Sequence, residues 1–117
     1  MTRHEDIPYI EHILDAIKDI QRSIKNLSKD QFSNNKDKKD ANVRRLEIIG
    51  EASKNLSNNL REKHKEIEWN KIIGARNRII HKYSDVDLDI VWEIIKKDIP
   101  KLKKQIEKIK EKLKLKS

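Results

Sequence analysis

The stretch RNRIIHKY, residues 76–83, sets a guanidinium, a carboxamide, an imidazole and a phenol close together in the chain. Arg76 offers a planar, permanently charged fork for developing negative charge, and His81 can take or give a proton near neutral pH. Asn77 can orient either group through its amide, and Tyr83 carries a hydroxyl. On a helix at about 100° per residue, Asn77 and His81 fall at i and i+4 on one edge, with Arg76 about 100° away. The same projection puts Arg76 between Ile72 and Ile73 on one side and Ile79 and Ile80 on the other, in the middle of the segment's apolar arc. A buried, unpaired guanidinium is strongly destabilising, so Arg76 is expected to face a carboxylate, an interface or a bound phosphate. Two plainer roles stay open: Arg76 as a structural ion-pair partner, and His81 as a cation favoured at a helix C-terminus.

Other chemistry is poorly supplied. Gly50 and Gly74 are isolated, which removes glycine-rich phosphate loops and dinucleotide fingerprints. His4, His12, His64 and His81 are not paired at i+3 or i+4, and no E-x-x-H pattern occurs, so neither a metal nor a cofactor is expected. No serine or cysteine nucleophile can be argued beside a histidine and a carboxylate. An enzyme of this composition would use a nucleophile carried by its substrate. The 2′-hydroxyl of RNA is such a group, and its attack on the adjacent phosphate requires a base, a rigid cation and a donor to the leaving oxygen.

The elements that must position these groups are helical. The 117 residues are 41% charged and 35% hydrophobic, with two glycines, two prolines and no cysteine. Isoleucine and leucine recur at spacings of three and four, and β-type alternation is absent. One helix is expected from about Asp6, with Pro8 in its first turn and Ile10, Ile13, Leu14, Ile17, Ile24 and Leu27 on its core face. Residues 28–40 read as a polar connection holding a short helical turn at most. A second helix is expected from about Asp40 to Asn58 on Leu46, Ile49, Ala52 and Leu56, followed by a charged connection at 61–68. A third should open at Trp69 and Asn70 and stop near Lys82, where Ser84 and Asp87 resemble a capping box. The last, from about Asp87 to Lys114, carries a near-heptad seam and should kink at Pro100. Together these predict an all-α, antiparallel four- to five-helix up-and-down bundle in a single domain over residues 1–117.

Charge and hydropathy narrow the setting. Of the net charge of +8, residues 96–117 supply all but one, with ten lysines against Asp98, Glu107 and Glu111. That stripe suits RNA phosphates or a solvated helix face, and the charge alone leaves both open. No signal peptide or membrane span is visible, so a cytoplasmic protein is expected.

Beyond the R-x4-H-x-Y pattern of residues 76–83, the segments ANVRRLEIIGEASKNL (41–56), IEWNKIIGARNRIIHKY (67–83) and DLDIVWEIIKKDIPKL (87–102) resemble HepT-like proteins, the toxin branch of the HEPN superfamily. The resemblance covers most of the chain. It implies a homodimer whose Arg and His motifs meet in a composite cleft, acting as a metal-independent endoribonuclease of a toxin–antitoxin pair. It also implies a minimal nucleotidyltransferase antitoxin that transfers AMP to the motif tyrosine. Carried over by position, Arg76 would stabilise the phosphorane, His81 would transfer protons, Asn77 would orient them and Tyr83 would be modified. Arg44 and Glu51 lie on a helix edge away from the core, where Glu51 could pair with Arg76 or Arg44, or the edge could simply be solvated. The other reading implied by the resemblance is a non-catalytic HEPN module that binds nucleotide or RNA beside a nucleotidyltransferase, using the same Arg76 and His81.

Overall fold

The computed structural model describes residues 3–81 and 85–115. The expected all-α bundle is what forms, with a two-residue antiparallel ribbon as its one β feature among the described residues.

Helix α1 (Arg3–Ile24) buries Ile10, Ile13, Leu14, Ile17 and Ile24 as its spacing predicts, and Ile20 with them, whereas Leu27 falls beyond its end and is only partly buried. It begins before Asp6, and Pro8 is accommodated inside it. Asp6 is itself buried and accepts from the backbone N–H of Ser57 at 2.8 Å and from its hydroxyl at 2.7 Å. That carboxylate ties α1 to the start of α4 (Asn58–Lys63), whose N-cap is Ser57. Beyond Ile24 the chain turns through Asn26 at φ 64°, a left-handed conformation that asparagine tolerates and that stops the helix.

Residues 28–40 are more ordered than their polarity suggests. Ser28 and Gln31 form a capping box for α2 (Lys29–Ser33), and Asn35 caps α3 (Lys36–Lys54), so this helix starts ahead of Asp40 and ends before Asn58. The reason for α2 is Phe32, fully buried with its ring centroid 5.2 Å from that of Trp92. Along α3, Leu46, Ile49 and Ala52 face the core as expected, and Leu56 is buried just beyond its end. Asn42 was not foreseen there. It is wholly buried, donating to the Ser23 hydroxyl and the Lys38 carbonyl and accepting from Arg45.

Gly50 permits a close approach between two helices. A Cβ there would stand 3.3 Å from the Ile72 carbonyl oxygen and 3.4 Å from that of Ile73, so α3 lies directly on the backbone of α5 (Trp69–Ile73). A methyl gains helix propensity and nearly fits. A larger side chain must part the two helices: Gly50→Leu should lower the unfolding free energy by about 1–3 kcal/mol. Urea denaturation followed by circular dichroism measures this, and an unchanged midpoint would refute the close approach.

The third helix departs most from expectation. It breaks at Gly74 into α5 and α6 (Ala75–Ile79), and α6 gives way to β1 (Ile80–His81) instead of running to Lys82. The ribbon pairs Ile80 with Val86 and His81 with Asp85 of β2 (Asp85–Val86). Asp87 is the N-cap of α7 (Leu88–Glu93), accepting from Ile90 N–H, while the Ser84 expected to form a capping box with it lies outside the described residues. A π-helical turn (Ile94–Asp98) then leads into α8 (Ile99–Leu115). The anticipated perturbation at Pro100 takes this form: Pro100 has no N–H for the turn before it, and Ile99 donates to Ile94, five residues back. The extra residue shifts the helix phase so that Ile94 and Ile95 are both buried.

Candidate functional site

The site is built where α3 crosses α6. The break at Gly74 resets the helical phase, so Ala75 and Ile79 take the buried positions of α6 while Arg76 and Asn77 face outward. The projection that set Arg76 in an apolar arc is therefore corrected: its side chain is 65% exposed. Its partner within the chain is a carboxylate, that of Glu47. Arg76 Nε stands 2.9 Å from Glu47 Oε2, and the Glu47 side chain is only 27% exposed, so a half-buried carboxylate holds the more exposed guanidinium. Glu51 is exposed, and its backbone carbonyl accepts from the Asn55 side chain. Arg44, Glu47 and Glu51 share an edge of α3 at i, i+3 and i+7, a pattern visible in the sequence; what selects Glu47 is the crossing of two helices, which is not.

Arg78, on the other side of α6, reaches toward Asp98 of the π-helical turn at 4.0 Å, as does Lys71. Arg76 and Asn77 are thus held on a short helix anchored on both flanks. His81 leaves that helix: its backbone lies in β1, so it does not share a helix edge with Asn77. The ribbon is fastened to α6 at its far end, where Asp87 N–H donates to the Ile79 carbonyl at 2.7 Å. The imidazole of His81 and the whole of Tyr83 and Ser84 lie outside the described residues.

Alongside this crossing runs a groove of about 320 Å³ lined by Lys39, Asp40, Val43, Arg44, Glu47, Val86 and Leu88. Asp40 there is engaged by Lys36 at 2.7 Å, a hydrogen bond and charge pair that raise the lysine's pKa. Among the described residues no group of three or more His, Asp or Glu could hold a metal ion, and no helix is long and apolar enough to cross a membrane.

The sequence profile of the family described as ribonuclease HepT-like matches residues 13–109, which include α3, α6, the ribbon and most of α8. The chain belongs to the HepT-like family. Among relatives of this HepT-like chain, the "Gamma-glutamylcyclotransferase and putative RNase" of Methanocaldococcus jannaschii is 48% identical over 90% of this chain and 47% of its own length. This chain thus spans about half of that relative. A "Putative RNase" of the same organism is 38% identical, covering 92% of this chain and 98% of its own. The "Probable ribonuclease HepT" of Thermococcus cleftensis is 39% identical over 92% of this chain and 96% of its own. No solved structure matches the chain.

Proposed function

We propose that this HepT-like chain is a metal-independent endoribonuclease, the toxin of a toxin–antitoxin pair. The observation that carries the reading is Arg76: an exposed guanidinium, held through Nε by Glu47, with its other nitrogens available to a phosphate. It sits one residue before Asn77 on the short helix that leads directly into the strand of His81.

In the proposed reaction a base removes the proton of the ribose 2′-hydroxyl, and O2′ bonds to the neighbouring phosphorus. Arg76 stabilises the charge on the equatorial oxygens of the phosphorane. The bond to O5′ then breaks as that oxygen receives a proton, leaving a 2′,3′-cyclic phosphate and a 5′-hydroxyl. His81 handles proton transfer, and Asn77 orients the groups. Two protomers place their motifs in one cleft, so one copy can supply the base and the other the acid. Incubating the purified protein with total RNA in EDTA tests the activity: cleavage is expected, whereas RNA left intact at high protein concentration would mark a binding module instead.

Tyr83 is the proposed point of control. It follows His81 by two residues, so AMP attached to its hydroxyl would place a bulky anion beside the cations that receive the scissile phosphate. Co-expression with a minimal nucleotidyltransferase should add AMP-sized mass increments at Tyr83 and abolish toxicity without unfolding. Tyr83→Phe should stay toxic with that partner present. Intact mass and peptide mapping alongside a growth assay decide the matter, because a neutralised protein with unmodified Tyr83 would replace modification by simple complex formation.

A further inference from the structure

Four charged side chains line the groove between α3 and the ribbon, and they are not equivalent. Asp40 is paired with Lys36 at 2.7 Å and Glu47 with Arg76 at 2.9 Å. Among the described residues Lys39 and Arg44 have no ion pair. Both carboxylates are thus neutralised from outside the groove, which leaves two cations uncompensated within it. Between them and β2 lie Val43, Leu88 and Val86, and Val86, 39% exposed, is the one large hydrophobic residue left open to solvent among the described residues.

Uncompensated cations beside an open apolar patch suit one class of ligand well: a single-stranded nucleic acid, with phosphates for the cations and base faces for the apolar surface. The volume of about 320 Å³ lies at the low end of ligand sites, roughly 300–1,000 Å³, and suits one or two nucleotides. Lys39 and Arg44 are separated by about 7.5 Å of helix rise, a distance their long side chains can adjust to successive phosphates. Glu47 belongs both to the groove and to the Arg76 pair, so the groove runs into the site without a gap.

We propose that this groove is a substrate-strand subsite, in which Arg44 and Lys39 hold successive phosphates on one side of the one at Arg76, and Val86 with Val43 supports a base. The inference rests on the ribonuclease reading and adds residues to it. Among the described residues, Val43, Val86 and Leu88 line the apolar side and offer stacking surface without a base-reading set, so the subsite should favour single strands over duplexes.

The test is binding of a fluorescent 2′-O-methyl oligouridylate, which lacks the attacking hydroxyl, over a range of salt concentrations. The Lys39→Gln/Arg44→Gln variant should bind about tenfold more weakly at low salt. Its slope of log K against log salt should be shallower by about 0.7 for each phosphate no longer neutralised. Val86→Ser should weaken binding severalfold with the slope unchanged. Equal affinity and slope for the double variant and the parent would overturn the subsite while leaving the ribonuclease reading intact, provided the parent still cuts unmodified RNA. A parent that neither binds nor cuts would overturn both. Sedimentation velocity supplies the remaining arm: if Val86→Asp converts a dimer to monomers, the groove is a contact between copies and the subsite is wrong. An unchanged sedimentation coefficient with weakened binding supports it.

Discussion

On the proposed mechanism, Arg76→Ala lowers the rate of RNA cleavage by about two to four orders of magnitude, roughly 3–5 kcal/mol of transition-state stabilisation, and leaves the fold in place. The two effects separate because Arg76 is 65% exposed and buries little when the protein folds. Its pair with Glu47 is a partly exposed salt bridge, worth about 0–1 kcal/mol of stability. A structural ion pair would show the opposite pattern, with a lower melting temperature and near-normal cleavage. His81→Ala should lose activity to a similar degree, because a general acid or base contributes about two to four orders of magnitude. Glu47→Gln should cost less than either, since it weakens the grip on Arg76 without removing the cation. Single-turnover cleavage rates, measured beside thermal melts of the same samples, resolve all three.

The largest effect on stability falls at Phe32→Ala, expected to cost about 3–5 kcal/mol. Phe32 has no exposed surface and is the residue for which α2 exists, packing at 5.2 Å from Trp92 and so joining α2 to α7. Truncation would leave a cavity between α2 and α7 and remove the one buried side chain of α2. Urea denaturation reads the loss, and a change below about 1 kcal/mol would mean the cavity collapses and α2 is not a core element.

The core stripes of α1, α3 and α8 were legible because each long helix repeats isoleucine and leucine at three and four, a period that burial enforces residue by residue. Short elements were not. The capping box at Ser28 and Gln31 was in plain sight, but one phenylalanine is too few apolar residues to show a period, and it is burial of Phe32 in the core, against Trp92 among others, that makes α2 worth forming. Periodicity also misled at Gly74. The spacing of Ile72, Ile73, Ile79 and Ile80 assumes one continuous helix, whereas the break resets the phase, turns Arg76 outward and moves His81 onto a strand. The residue types of the candidate site were therefore readable, while its geometry, including the Glu47 contact, depends on crossing elements that no local pattern encodes.

The most direct test of the central claim is the chemistry of the cut ends. A synthetic oligoribonucleotide digested by the purified protein in excess EDTA, analysed by mass spectrometry, should yield 2′,3′-cyclic phosphate and 5′-hydroxyl termini, and its 2′-O-methyl counterpart should stay intact. Cleavage that stops in EDTA, or fragments ending in 3′-hydroxyl and 5′-phosphate, would show that water or a metal-bound nucleophile makes the attack and would contradict the roles given to Arg76 and His81.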